Sequence, residues 1–115
     1  MSIRQKKVSE EIKHIVSEFF ARNTLNKCEK SFITLAKVEI SPDLRYAKIY
    51  VSILNLQTDI EQEECLKSII RNKNRIKKEI ADNLVLRNVP EIIIKKDESF
   101  KKAERIKEIL RDIDK

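Results

Sequence analysis

The side chains of this 115-residue chain that could act on another molecule are carboxylates, one His, two Cys and a dense run of Lys and Arg. Asp43, Glu91 and Asp97 stand at no spacing that pairs them as general acid and base. Asp43 reads better as a turn residue and Asp97 as a helix cap. His14 is the only His, so no Ser or Thr has a base at a recognisable spacing. It lies one residue before an apolar helix position and reads as an ordinary surface or boundary residue. Cys28 and Cys65 sit in no CxxC or Cys/His cluster, and with His14 they make too small a ligand set for a metal. They read as reduced cytosolic thiols. The chain has no Gly. Loops that cradle phosphate need Gly for close backbone approach and positive φ, so P-loop, GxGxxG and GxxG chemistry is excluded by composition. The expectation is a protein that is not an enzyme, with no cofactor, no metal and no small-molecule substrate.

The basic residues offer binding instead. Lys67, Arg71, Lys73, Arg75, Lys77, Lys78 and Arg87 fall in one segment, opposed only by Glu79 and Asp82, in a chain of net charge +6. Such a balance points to a polyanion, either nucleic acid or an anionic membrane; a basic surface that only confers solubility is the bland alternative. At 100° per residue, Arg71, Arg75 and Lys78 take neighbouring outward positions, opposite an Ile76/Ile80 stripe. A positive ridge there would contact RNA phosphates; the competing reading is a solvated amphipathic helix. Arg45 and the Tyr46/Lys48/Tyr50 face form a second candidate, since Tyr rings stack on exposed bases. Cross-strand Tyr packing is the commoner use of that pattern and is preferred. Arg4, Lys6 and Lys7 could add contacts.

The elements that must position these residues are legible from periodicity. The length suits one domain over 1–115 with one modest core, largely Ile, Leu and Val because Trp is absent. Val8, Ile12, Ile15, Val16 and Phe19 mark a first helix over 4–22. Phe32–Ile40 and Arg45–Leu54 alternate as strands, joined through Ser41-Pro42-Asp43, where Pro42 presets its backbone angle and Ser41 and Asp43 can bond the local backbone. Thr58 to Glu61 reads as a capping box that starts a helix carrying Leu66, Ile69 and Ile70 inward. Ile76, Ile80 and Leu84 form a second stripe out of step with the first, so a break or sharp kink is expected at Asn72-Lys73-Asn74. The alternative is one continuous helix with Lys73 snorkelling at its edge. Pro90 ends the helical series. The continuous run Ile92-Ile93-Ile94 reads as a central, well-covered third strand. Phe100, Ala103, Ile106, Leu110 and Ile113 repeat as a final helix over about 99–113. Three strands with these helices give an α+β fold, a small sheet covered on one face. No apolar run approaches the roughly 18 residues of a membrane span, and Met1–Lys7 leads into no apolar signal region, so a soluble cytoplasmic protein is expected.

The order α-β-β-α-kink-α-β resembles that of the type II KH domain, an RNA-binding fold. Val38 through Ser52, read as Val-Glu-Ile-Ser-Pro-Asp-Leu-Arg-Tyr-Ala-Lys-Ile-Tyr-Val-Ser, resembles the signature of bacterial ribosome-binding factor A. Ile76-Lys77-Lys78-Glu79-Ile80, Leu84 through Ile92, Asp97-Glu98-Ser99 and Arg105 through Leu110 match that family in the same order. The likeness runs from Arg4 to about Ile113. It implies a KH-like core over about 4–96 and a C-terminal helix. It implies a monomeric factor that binds free 30S subunits through 16S rRNA, assists rRNA processing and late 30S maturation, and serves cold adaptation. The RNA-binding residues would be Arg45, Arg71, Asn72, Lys73, Asn74, Arg75, Lys77, Lys78 and Arg87. The family usually carries an Ala-x-Gly kink where this chain has Asn72-Lys73-Asn74. Asn74 takes the Gly position, acceptable because Asn tolerates left-handed backbone, and Lys73 becomes a phosphate ligand candidate. A small basic protein-interaction module, or a KH-like binder of another RNA, are the alternatives.

Overall fold

The computed structural model describes residues 2–56, 58–84 and 88–98. Arg87 and the final helix expected from Ser99 on lie outside them. The described chain runs α1 (Ile3–Arg22), β1 (Phe32–Ile40), β2 (Tyr46–Leu54), α2 (Asp59–Arg71), α3 (Lys73–Asn83) and β3 (Glu91–Lys96). This is the α-β-β-α-kink-α-β order of the KH-like reading. α1 begins at a full capping box that the periodicity did not reveal: Gln5 N–H donates to Ser2 Oγ at 3.1 Å, and Ser2 N–H to Gln5 Oε1 at 2.9 Å. Its buried face, Val8, Ile12, Ile15, Val16 and Phe19, is the expected stripe. α2 begins where expected, with Glu61 N–H donating to Thr58 Oγ1 at 3.1 Å.

β1 and β2 pair antiparallel, with Ile40 opposite Ala47 and Phe32 opposite Leu54 and one register shift between Leu35 and Lys37. The turn between them is held by side chains, as anticipated. Ser41 Oγ accepts from Tyr46 N–H at 2.9 Å, and Asp43 Oδ1 accepts from Ser41 Oγ at 2.7 Å and from Arg45 N–H at 3.1 Å. Those bonds, the Ser41 bond first, hold the Asp43 carboxyl below its usual value. Without Gly, the chain places Lys27, Leu44 and Asn55 at positive φ.

β3 pairs parallel with β2, and the sheet order is β1-β2-β3. The expectation that Ile92–Ile94 is a central strand is therefore corrected. β2 is central and β3 lies at an edge, with Ile92 buried but Ile93 and Ile94 only half-buried. A run of three Ile cannot report which strand has two neighbours, because helix cover and strand cover leave the same apolar signal.

The core lies between the inner sheet face and the helices. Ala47, Ile49, Val51 and Ile92 from the sheet meet Ile12, Val16, Ile69, Ile76 and Ile80, all with essentially no exposed area. Each such Ile contributes about 1.5–3 kcal/mol by burial. The opposite face shows Tyr50 under the Lys37 ammonium, 4.6 Å from ring centroid to Nζ, with its hydroxyl 3.5 Å from Glu39 Oε2. Cross-strand packing thus claims Tyr50, whereas Tyr46 remains 52% exposed.

The two Cys depart from expectation. Cys28, in the loop after α1, and Cys65, on α2, form a disulfide across 37 residues, with Cα atoms 4.9 Å apart. The loop folds back beneath α2 through turns that spacing does not announce: Cys28 N–H bonds Leu25 O, and Ser31 N–H bonds Cys28 O, both at 3.0 Å.

Candidate nucleic-acid interface

The kink forms as expected, by an unexpected device. Asn72 turns the chain with φ −90° and ψ 10°, and Asn74 lies inside α3, away from the left-handed region. The left-handed Asn74 expected in place of Gly is thus corrected. The bend needs no positive φ, because the Asn72 side chain spans the break. Its Nδ2 donates to Ser68 O at 2.8 Å in α2, and its Oδ1 accepts from Arg75 Nη1 at 3.0 Å in α3. Its own N–H reaches Ser68 O and Ile69 O, each at 3.1 Å.

α3 buries Ile76 and Ile80, and the basic residues of α2 and α3 divide by the partners they meet. Toward β3, Lys73 Nζ lies 3.0 Å from Glu91 Oε1 and Lys77 Nζ 3.2 Å from Glu91 Oε2. This pairing, the Lys73 hydrogen bond foremost and Lys77 next, holds the Glu91 carboxyl below its usual value. Toward α1, the Arg75 guanidinium bonds Asn23 Oδ1 at 3.3 Å and lies 5.5 Å from the Phe19 ring centroid. Arg22 and Glu79 make an ion pair beside it at 3.5 Å. Lys67 and Arg71 at the end of α2, and Lys78 on α3 in a cleft with Arg75 and Asp82, are exposed and, among the described residues, have no ion-pair partner. Arg71 and Lys78 are therefore the free members of the expected ridge, and Arg75 is exposed but tied to α1.

α3 has no acidic residue in its first turn and no side-chain cap bond. Its positive dipole end is balanced by no carboxylate of its own helix.

Arg45 lies at the other end of Glu91. Glu91 N–H donates to Arg45 O at 2.7 Å as β3 begins. Gln5 Nε2 donates to Ile40 O at 3.0 Å and brings the start of α1 to the same edge. The result is an open cleft of about 590 Å³ whose wall includes Arg4, Asp43, Arg45, Asn88 and Glu91. The Arg45 side chain is 79% exposed and only loosely paired, with Nε 3.9 Å from Asp43 Oδ2. The fold thus gathers Lys73 and Lys77 on the Glu91 carboxylate and ties Arg45 to the same residue through its backbone, while Arg71 and Lys78 make no such pair. Sequence reasoning missed Glu91 as the hub and Asn23 as a partner of Arg75. Both contacts join residues distant in sequence, so no local signal announces them. The Asn72–Arg75 bond, at i,i+3, could have been read from helical spacing.

His14, expected at the surface, is exposed, with Nε2 3.2 Å from Glu18 Oε1. Asp97 lies at the end of the described residues, its N–H donating to Val51 O at 2.7 Å; the helix it was expected to cap lies outside them. Among the described residues, no helix is long and apolar enough to cross a membrane.

Comparison with known proteins follows the same outline. The family model for ribosome-binding factor A matches residues 4–110. The Natranaerobius thermophilus ribosome-binding factor A is 33% identical over 111 residues, covering 96% of this chain and 82% of the relative. That of Clostridium perfringens is 31% identical over 112 residues, covering 97% and 96%. Among solved structures, a Thermotoga maritima ribosome-binding factor A determined by NMR superposes with a TM-score of 0.73 at 32% identity, covering 86% of this chain and 92% of that one. A Thermus thermophilus ribosome-binding factor A, as a homology model fitted into a cryo-EM map of its 30S complex, gives 0.61 at 17% identity over 78% and 91%. At that identity the likeness concerns the fold alone.

Proposed function

The chain belongs to the ribosome-binding factor A family, and on that footing we propose that it binds the 30S subunit through 16S rRNA. It acts there as a single-domain, monomeric, cytoplasmic assembly factor, without catalysing a reaction, in 16S rRNA processing and late 30S maturation, including at low temperature. The observation that carries the reading is the family match over residues 4–110. The name carried by relatives 31–33% identical, ribosome-binding factor A, supports the choice of a ribosomal particle. Arg71 and Lys78 make the principal phosphate contacts, beside the start of α3. Lys73, Lys77, Arg45 and Arg75 contribute less, because each has a partner within the protein. Asn72 and Asn74 hold and border the bend; Arg87 completes the set. Binding selects one conformation of immature rRNA, and its free energy biases folding toward that form.

Sedimentation of the tagged protein with ribosomal particles tests this. The protein is expected in the free 30S fraction at low salt, and its depletion is expected to accumulate 16S precursor. Absence from that fraction together with normal 16S processing would sink the proposal. Crosslinked-RNA sequencing that recovered a different RNA would replace it with a binder of that RNA.

A further inference from the structure

The disulfide joins two sulfurs in unlike positions. Cys28 lines an open cleft of about 500 Å³ between the end of α1 and the edge of β1, whose wall also includes Phe20, Thr24, Glu29 and Phe32. That volume lies within the range of small-molecule sites. Cys65 does not line it and has no exposed area. Both residues are buried, Cys28 at 4% exposure and Cys65 at none, but only Cys28 borders the cleft, so it is the outer member of the pair, the position from which exchange begins while the inner Cys resolves.

The surroundings also provide for the reduced pair. Cys28 Sγ lies 3.4 Å from Cys65 O, an acceptor that a thiol can use and a disulfide sulfur cannot. Cys65 Sγ lies 3.6 Å from Ser31 Oγ. The Ser31 hydroxyl now donates to Cys28 O at 2.7 Å and can rotate to a Cys65 thiolate. Neither sulfur would be a buried polar orphan after reduction, so neither state is penalised on that ground. The bond ties the α1–β1 loop to the middle of α2, the helix that ends in Arg71 and turns into α3 at Asn72.

We propose that Cys28–Cys65 is a reversible thiol–disulfide couple that exchanges with low-molecular-weight thiols through the Cys28 cleft and sets how firmly α2 is held. A thiolate of the small thiol attacks Cys28 Sγ, forms a mixed disulfide there and releases Cys65, which takes up a proton. A second small thiolate attacks the mixed disulfide at its own sulfur, releasing Cys28 and the small disulfide. Two thiols are oxidised to one disulfide, the protein bond gains two electrons, and two protons end on Cys28 and Cys65. The effect on particle binding rests on the function proposed above; the exchange itself does not.

The test uses the full chain in glutathione buffers of stepped reduced-to-oxidised ratio, with no ribosomes in the first arm. Acid quench, alkylation and mass spectrometry are expected to show a Cys28–glutathione adduct and a reversible transition between disulfide and dithiol while the protein stays folded. Amide exchange in residues 59–71 is expected to quicken about tenfold on reduction. In the second arm, affinity for 30S is expected to fall severalfold on reduction, and a Cys28→Ser variant to bind as the reduced protein does in every buffer. Reduction only after unfolding, or α2 exchange equal in the two states, overturns the couple. Tight binding that ignores the buffer overturns its functional role while leaving 30S binding intact. A protein that exchanges thiols as described but never binds 30S overturns the particle reading instead.

Discussion

Two sides of the α2–α3 bend carry the same residue types under opposite conditions. Toward β3, Lys73 and Lys77 are about one-third exposed and share Glu91. On the outward side, Arg71 and Lys78 are exposed and make no ion pair among the described residues. A phosphate approaching the first pair must displace an existing ion pair and gains little net Coulomb energy. One approaching the second pair displaces only water and counterions, and releasing counterions is the main source of affinity for nucleic acid. A count of positive charges along the helix treats the two sides alike. Their partners separate them into a paired set and an unpaired set.

The largest expected effect follows from that division. Changing Arg71 and Lys78 together to Ala should weaken 30S binding about tenfold to thirtyfold, about 1.4–2 kcal/mol. It should also flatten the slope of log affinity against log salt by about 1.5, with the circular dichroism spectrum unchanged. A double Lys73→Ala/Lys77→Ala loss larger than that, at equal folding, would reverse the assignment of the two sides. Next comes the bend that holds them apart. Asn72→Ala removes the bonds to Ser68 and Arg75 and should cost about 1 kcal/mol in urea unfolding. No loss would mean that packing of Ile69 and Ile76 alone sets the angle.

Glu91→Gln should act in the opposite sense. It frees Lys73 and Lys77 and should tighten particle binding about threefold while steepening the salt dependence. The smallest effect concerns acid. The pKa of Glu91 is lowered from its ordinary 4.5, first by the Lys73 hydrogen bond. A depressed carboxylate adds stability above its unfolded pKa and loses it as pH falls through the folded one. The Lys73–Glu91–Lys77 cluster should therefore persist below pH 4.5 and dissolve on further acidification. Carboxyl NMR should show Glu91 titrating late, and Lys73→Ala should move it back toward the usual range.

The helices, the hairpin and the place of the bend were legible because each leaves a local pattern. The Val8-to-Phe19 stripe, the alternation on both sides of Ser41-Pro42-Asp43 and the phase slip at Lys73 all survive in the fold. Edge and centre of the sheet were not legible, because Ile92-Ile93-Ile94 looks the same beside one strand or two. The disulfide was hidden for a related reason: 37 residues separate two Cys that meet only once the loop folds under α2. In the site, charge was legible and its commitment was not. Nothing near Lys73 or Lys77 in sequence foretells Glu91, which arrives at the start of β3.

The sheet order has a consequence for the chain as it is being made. β1 and β2 can pair as soon as residue 54 has emerged, but the second edge of β2 waits for β3, some 40 residues later. Throughout that interval the nascent protein presents an unpaired strand edge beside Ala47, Ile49 and Val51, a template for foreign strands. Synthesis past Lys96 closes it, so a chain halted before Glu91 is expected to aggregate where the full one stays dispersed.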